Sequence, residues 1–372
     1  MASWQCSLEK MVNFRKDFEG KRVWLSGHTG FKGSWLSEWL LDLGAIVHGY
    51  ALPPETTPSL FDQLKLSSRL SHQISDIRDE STVRRSIHSF RPDFIIHMAA
   101  QPLVRKSYSI PVETYATNVM GTVHVLEALR TFSTPCAAVI VTTDKVYQNN
   151  ESGRAFVESD PLGGHDPYSS SKAMAEIVTA AYRDSFFSNH PVKLAGARAG
   201  NVIGGGDWAE DRIIPDAMRA LNENRLIPVR NPNAVRPWQH VLEPLGGYLL
   251  LASKLASGAP VASSFNFGPG PEANRSVREL ITEVLQHRGG AWSDISDPNA
   301  LHEATLLNLS IEKAGMDLNW VPRWDFSQTV EKTVSWYRDI HDGIVTPAEV
   351  TASQIREYTE LLGPDKTTHH ES

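Results

Sequence analysis

The sequence predicts a doubly wound, parallel α/β sheet with a smaller C-terminal substrate-binding lobe, on three observations. Glycines 27, 30 and 33 follow the short apolar run 22–26 and open an amphipathic stretch. That is the pattern of a strand, a tight turn and a helix whose free N–H groups can hold phosphate. The runs 93–100 and 137–142 are nearly continuous in apolar residues, as strands covered on both faces must be. Helix-periodic segments separate these runs, and such alternation implies a parallel sheet with right-handed crossovers.

Taken in order, residues 1–20 read as an N-terminal extension with a short helix over 11–18. The strand 22–26 passes through the glycine loop into a helix over 34–43, where Trp35, Leu36, Trp39, Leu40 and Leu43 recur at helical spacing and Gly44 ends the run. A second strand, 46–50, meets Pro53, Pro54 and Pro58, which demand a loop before a helical piece at 60–66. The third strand is 72–75, with Asp76 and Ile77 capping the next helix. A long helix over 111–129 places Tyr115, Asn118, Thr122, Val125 and Leu129 on one side. Another runs from Tyr168 to about Phe186. The nucleotide-binding domain spans 21–200, a return segment lies near 239–267, the substrate lobe covers 201–340, and 341–372 is a polar tail lying loosely on the surface.

Composition narrows the function classes. The 372 residues carry 36 Lys and Arg against 43 Asp and Glu, a net charge of -7, with no long basic run; nucleic acid is not the expected partner. Cys6 and Cys136 are too few for a disulfide framework or a thiolate metal site, and fit a reducing, cytoplasmic setting. No stretch nears the roughly twenty apolar residues of a membrane span. The histidines show no metal-ligand spacing, and His369 and His370 lie in the polar tail.

Two clusters carry chemistry. In the loop, Gly27 permits a sharp turn, Gly30 leaves room for a pyrophosphate and Gly33 lets helix and strand pack closely. The spacing, G-x-x-G-x-x-G, departs from the usual dinucleotide fingerprint, so a plain structural turn is the alternative. Tyr168 and Lys172 stand four apart on one helix face. An ammonium beside a tyrosine favours phenolate, which makes the pair a proton acceptor, although an isolated pair of this spacing is more often structural. Thr143, Asp144 and Lys145 follow the buried strand 137–142, at the carboxyl end where active groups of such sheets collect.

Together Gly27-His-Thr-Gly-Phe-Lys-Gly33, His97-Met-Ala-Ala-Gln101 and the Tyr168/Lys172 pair resemble the extended short-chain dehydrogenase/reductase family, with its Rossmann-type fold. Thr142-Thr-Asp-Lys-Val-Tyr147 is similar to the nucleotide-sugar 4,6-dehydratases, whose CDP-glucose branch carries Asp-Lys where others carry Asp-Glu. Arg198-Ala-Gly-Asn-Val-Ile-Gly-Gly-Gly-Asp-Trp208 and Arg236-Pro-Trp-Gln-His-Val241 resemble the same branch, and the resemblance spans residues 20–340.

The resemblance implies conversion of CDP-D-glucose to CDP-4-keto-6-deoxy-D-glucose, for deoxysugar and lipopolysaccharide O-antigen biosynthesis, with NAD reduced and reoxidised in each turnover. It assigns Tyr168 to the C4 hydroxyl proton, Thr143 to the C4 oxygen, Asp144 to the C6 oxygen as acid and Lys145 to the C5 proton as base. Lys172 would hold the ribose and lower the Tyr168 pKa. Gly27, Thr29, Gly30, Phe31 and Gly33 would cradle the cofactor phosphates, with His28 and Lys32 supplementing the pyrophosphate or ribose or else standing as plain exposed helix-start residues. Asp76 and Ile77 would hold the adenine, and Ala99, Ala100 and Gln101 would line the nicotinamide side. The segment after the second strand has neither an acid for the adenosine ribose nor an arginine for a 2′-phosphate, which leaves NAD ahead of NADP. Asn201, Arg212 and Arg236 suit the diphosphate and nearby hydroxyls, and a homo-oligomer, dimer or tetramer, is implied.

Plainer readings stand beside these. Asp76 could be a helix cap, Asp144 a lysine partner, Lys145 a phosphate ligand, and either arginine a surface ion pair. A 4-epimerase or reductase of a related sugar nucleotide would share the fold and Tyr168/Lys172, and a non-catalytic dinucleotide sensor would share the fold.

Overall fold

A computed structural model describes residues 14–149, 153–297 and 307–362. Seven parallel strands form the central sheet. Six of them are β1 (Arg22–Ser26), β2 (Ile46–Ala51), β3 (Ser71–Ile74), β4 (Phe94–His97), β5 (Cys136–Val141) and β6 (Val192–Ala199). The seventh is Ser264–Phe267, and the spatial order is Ser264–Phe267, β6, β5, β4, β1, β2, β3.

Strand order reverses beside β1, where Val23 pairs with Val47 of β2 on one side and Phe94 of β4 on the other. The crevice between their carboxyl ends is where such sheets bind ligands. Side-chain alternation divides each strand between two cores. Val23, Leu25, Phe94, Ile96, Ala137, Val139 and Val141 face one, while Trp24, Ile95, Cys136, Ala138 and Ile140 face the other. Helices Phe31–Asp42 and Leu242–Ala256 supply the first core, and Glu80–Phe90 and Gly121–Arg130 the second.

Several expected elements shift, each for a local reason. The first long helix starts at Phe31, because Gly30 is extended and its carbonyl already accepts the Ser34 N–H at 2.8 Å. The cap of helix Glu80–Phe90 is Asp79, whose carboxylate accepts from the Thr82 N–H at 3.1 Å, rather than Asp76 or Ile77. The helical run from Pro111 to Arg130 carries a π-turn at Ala116–Met120. There Asn118 donates to the Gln101 carbonyl and to Ser171 Oγ. Strand β6 has no counterpart in the sequence reading.

Beyond residue 200 the lobe is built from helices Ile213–Asn222 and Val277–Arg288 with short strand pairs. The chain returns through Leu242–Ala256 to place Ser264–Phe267 beside β6.

Over the described part of the tail, residues 341–362, the loose arrangement is overturned, and residues 363–372 lie outside the described residues. Helix Pro347–Leu362 packs against helix Phe326–His341 through buried Thr351, which accepts from Trp336 Nε1 at 2.9 Å. Its Tyr358 donates to buried Glu243 at 2.6 Å. At the other end, Phe14 and Phe18 of helix Phe14–Phe18 are buried, the latter 4.7 Å from the Phe94 ring. Residues 11–13, Cys6, His369 and His370 lie outside the described residues.

Candidate active site

A cleft of about 1660 Å³ opens over the carboxyl ends of β1, β4 and β5 and extends into the C-terminal lobe. Its floor is the glycine loop. Gly27 adopts φ +77, and a Cβ there would lie 2.9 Å from Ala99 N; at Gly33 a Cβ would lie 2.0 Å from the Gly27 carbonyl. Gly30 differs, because its Cβ would meet only the Gly27 carbonyl at 3.5 Å. Two glycines therefore serve close packing, and the third keeps the loop surface low where it faces the cleft. Thr29, Phe31 and Lys32 line the same wall.

His28 does not. Its ring is enclosed by Gly49, Phe61 at 5.3 Å and His72 at 5.5 Å. Burial, with His72 adding to it, pushes its pKa down to about 3 and keeps it neutral. The expected phosphate contact from this side chain is thus replaced by a packing role. Lys32 stays on the cleft, and burial, followed by Arg212, brings its amine down to about 7.

Ala99 and Ala100 line the cleft beyond the loop, whereas Gln101 is buried. The Gln101 amide donates to Leu103 O and Thr114 Oγ1 and accepts from Leu103 N, so its side chain shapes the loop instead of facing the cleft. Asp76 and Ile77 line the far end, with the Asp76 carboxylate held by Arg78 through Nε and Nη2.

At the end of β5, Thr143 donates to Asp144 Oδ1 at 3.0 Å. Lys145 Nζ bridges Asp144 Oδ1 at 3.3 Å and Asn201 Oδ1 at 3.4 Å. Thr143, Lys145 and Asn201 line the cleft, and Asp144 lies beneath them, fully buried, with Oδ2 lacking a partner among the described residues. Gly200 permits this, since a Cβ there would sit 2.8 Å from Asp144 Oδ2.

Tyr168 and Lys172 face the cleft from helix Pro167–Phe186, whose cap Asp166 accepts from Ser169 N at 2.9 Å. Lys172 Nζ donates to the Val141 carbonyl at 3.2 Å, and burial lowers its pKa to about 8. Burial instead pushes Tyr168 up to about 12, against a hydrogen bond with Thr143. The cation that lowers it is Arg212 rather than the expected Lys172, and burial prevails because a phenol nearly out of water resists ionisation.

From the lobe, Arg212 reaches the cleft and donates to buried Asp207 at 2.8 Å. Arg236 also lines it, with Nη1 donating to the Val235 carbonyl at 2.9 Å. Trp208 and Trp238 form walls, their indoles donating to Gln63 Oε1 and Arg275 O.

Several wall residues escaped the sequence reading. Glu55, on the loop after β2, lines the cleft 3.6 Å from Lys106 and supplies an acid in the region where none was expected. Its signal was the proline-rich loop itself, which lets a residue four beyond the strand fold back over the cleft. Tyr147 and Asp207 stand inside the motifs 142–147 and 198–208, where nothing in the sequence gave either a role of its own. Among the described residues no acid, histidine or cysteine cluster could hold a metal, and no helix is long and apolar enough to cross a membrane.

Residues 25–333 match the family model described as GDP-mannose 4,6 dehydratase. The chain is 49% identical over 328 residues to a CDP-glucose 4,6-dehydratase of Salmonella typhimurium, covering 86% of this chain and 91% of that one. It is 31% identical to a dTDP-glucose 4,6-dehydratase of Streptomyces antibioticus over 66% of this chain and 70% of that one. In structure it is similar to a dTDP-glucose 4,6-dehydratase of Streptomyces venezuelae with NAD bound, at TM-score 0.72 and 26% identity, covering 87% of this chain and 98% of that one. With the glycine cradle, the strand-end triplet and the Tyr168/Lys172 helix in one cleft, the chain belongs to the nucleotide-sugar 4,6-dehydratase family of extended short-chain dehydrogenase/reductases.

Proposed function

We propose that this protein converts CDP-D-glucose to CDP-4-keto-6-deoxy-D-glucose and water, using NAD that is regenerated within each turnover. The observation that carries the reading is the arrangement of Thr143, Lys145 and Tyr168 on one cleft wall, with Asp144 directly beneath. An epimerase or simple reductase has no need of an acid and base for elimination across C5 and C6. The identity to the Salmonella CDP-glucose enzyme supports the choice of nucleotide.

The glycine cradle fits a dinucleotide, because Gly30 leaves open the space a Cβ would begin to fill. The loop and the start of helix Phe31–Asp42 would hold the pyrophosphate, Asp76 and Ile77 the adenine, Ala99 and Ala100 the nicotinamide side, and Lys172 the ribose. NAD, when bound, supplies the acceptor for the C4 hydride and its return to C6.

The remaining steps belong to the chain. In its phenolate form, which the Thr143 hydrogen bond and the Arg212 guanidinium favour against burial, Tyr168 takes the C4 hydroxyl proton, and Thr143 donates a hydrogen bond to the C4 oxygen. Transfer of one proton across the 3.3 Å Lys145–Asp144 contact leaves a neutral amine and a protonated carboxyl. The ketone acidifies C5, whose proton then passes to Lys145 while Asp144 protonates the departing C6 oxygen, releasing water. Lys145 returns a proton to C5 as C6 is reduced. Tyr168 ends with one proton more and Asp144 with one fewer, and transfer between them through Thr143, which touches both, restores the chain. Arg212, Arg236 and Asn201 orient the diphosphate and sugar hydroxyls.

A second copy of the chain covers Val112, Met120, Met174 and Ile177, which are 81%, 47%, 45% and 55% exposed on the helices around 111–120 and 167–186. Light scattering tests this, and a monomer at working concentration overturns it. The enzyme works in the cytoplasm on a soluble nucleotide sugar. The activity is tested by incubation with CDP-, dTDP- and GDP-hexoses, followed by mass and NMR analysis for loss of water and a 4-keto-6-deoxy product. Turnover of dTDP-glucose alone sinks the substrate assignment.

A further inference from the structure

Glu176 is a buried carboxylate that the proposed reaction leaves without a role. It lies one helical turn beyond Lys172, which lies one turn beyond Tyr168, so the three share a face of helix Pro167–Phe186. Its Oε1 accepts from the Thr142 hydroxyl, next in sequence to Thr143. Its Oε2 accepts from Arg198 Nη2 at 2.9 Å and Ser264 Oγ at 2.8 Å. Arg198 continues the network, donating to Tyr147 OH at 2.7 Å and to the Glu158 carbonyl at 3.1 Å, and Tyr147 donates to Asn266 Oδ1 at 2.6 Å. Glu176 and Arg198 are 2% and 4% exposed, so both charges are withdrawn from water and each requires the other.

The helix is therefore fastened to the end of β5 at two successive turns, through Lys172 Nζ to Val141 O and through Glu176 to Thr142. We propose that Glu176, braced by Arg198, is a positioning residue: it fixes Tyr168 against Thr143 and supplies the buried negative charge that keeps Lys172 cationic.

Burial alone works against the Lys172 ammonium, and Glu176 opposes that effect. Lys32 from the glycine-loop helix, His97 from the end of β4 and Tyr168 one turn earlier also neighbour Lys172 and offer no anion, while the Asp144 carboxylate after β5 is taken up by Thr143 and Lys145. His97, tied to Ser26 Oγ at 2.7 Å and pushed down to about 3 by burial, is neutral.

The inference rests on the dinucleotide and dehydratase reading, and two readouts separate their failures. The first is the pH dependence of NAD affinity, followed by tryptophan fluorescence without sugar nucleotide. The second is the pH profile of kcat with CDP-glucose. In Glu176→Gln both alkaline midpoints move down by roughly one unit, because Lys172 loses its proton earlier. Thr142→Val, which cuts the tether and keeps the charge, lowers kcat about tenfold through misplacement while its pH midpoint and KM stay as in the wild type. If leaving Arg198 buried alone prevents Glu176→Gln from folding, the double variant Glu176→Gln/Arg198→Met removes both charges, and its midpoints still move down, by less than in the single variant, because the cation that opposed Glu176 leaves with it. Should that also fail to fold, Thr142→Val decides. Wild-type pH midpoints in folded variants lacking Glu176, or a wild-type kcat in Thr142→Val, overturn the proposal. Absence of CDP-glucose turnover by the wild type sinks the substrate reading only, and the NAD titration still decides the role of Glu176.

Discussion

Lys145 Nζ lies 3.3 Å from Asp144 Oδ1 and 3.4 Å from Asn201 Oδ1, so the cleft-facing amine is the lid over a carboxylate that has no surface of its own. The acid and the base of the proposed elimination are thus in contact.

Lys145→Met is expected to retain oxidation at C4 and to lose proton exchange at C5. Deuterium incorporation from solvent, followed by NMR, should fall about 10²–10⁴-fold, the usual contribution of a positioned base. Exchange at the wild-type rate would remove Lys145 from the role.

The glycines of the loop separate into two behaviours. Gly33→Ala places a methyl 2.0 Å from the Gly27 carbonyl and should destabilise the fold by about 1–3 kcal/mol or more. Gly30→Ala meets nothing closer than 3.5 Å and should keep its Tm while weakening NAD binding. Thermal unfolding with and without NAD checks both, and equal behaviour of the two variants would contradict the cradle.

Tyr168→Phe should lower kcat by about 10²–10⁴ with little change in Tm, since the ring stays buried. Lys172, pushed down to about 8 by burial, loses its positive charge as pH rises through that value. Activity should accordingly fall on the alkaline side from about pH 8. Lys172→Arg, whose charge persists, should move that limb to higher pH whatever its effect on the absolute rate. An unmoved limb would mean that another group sets it.

Glu243 offers a stability test away from the cleft. Burial pushes its carboxyl up from 4.5 to about 7, against hydrogen bonds from Tyr358 and the Trp324 and Arg323 N–H groups. A carboxyl that is harder to ionise folded than unfolded costs stability as pH rises, beginning above 4.5 and complete above about 7. The cost is about 3 kcal/mol. Relative to the wild type, Glu243→Gln should therefore gain roughly that amount between about pH 5 and about pH 8 in urea unfolding. A difference independent of pH would refute it.

Much of this architecture is written in local patterns. The runs around 22–26, 93–100 and 137–142 hold strands because only apolar residues tolerate burial on both faces, and their alternation separates the two cores residue by residue. Strand β6 escaped notice because Lys193, Gly196 and Arg198 interrupt its apolar run. Arg198 is tolerated there only because Glu176, brought by a different element, neutralises it. Helix Pro347–Leu362 escaped for a related reason. Its buried Tyr358 and Thr351 look polar in sequence until Glu243 and Trp336 meet them.

By itself the sequence determined the parallel sheet, the glycine loop beneath its switch point, and the residue types gathered at the end of β5 and on the Tyr168 helix, because short-range periodicity and turn chemistry govern these. Only the tertiary structure decided which side chains face the cleft. His28 and Gln101 turn inward, Asp144 sinks beneath Lys145, and Glu55 folds over the cleft from the far side of β2. The Tyr168 hydroxyl is likewise governed by how much water remains around it, rather than by the lysine four residues away. Orientation, burial and ionisation depend on neighbours distant in the chain, and no local pattern encodes them.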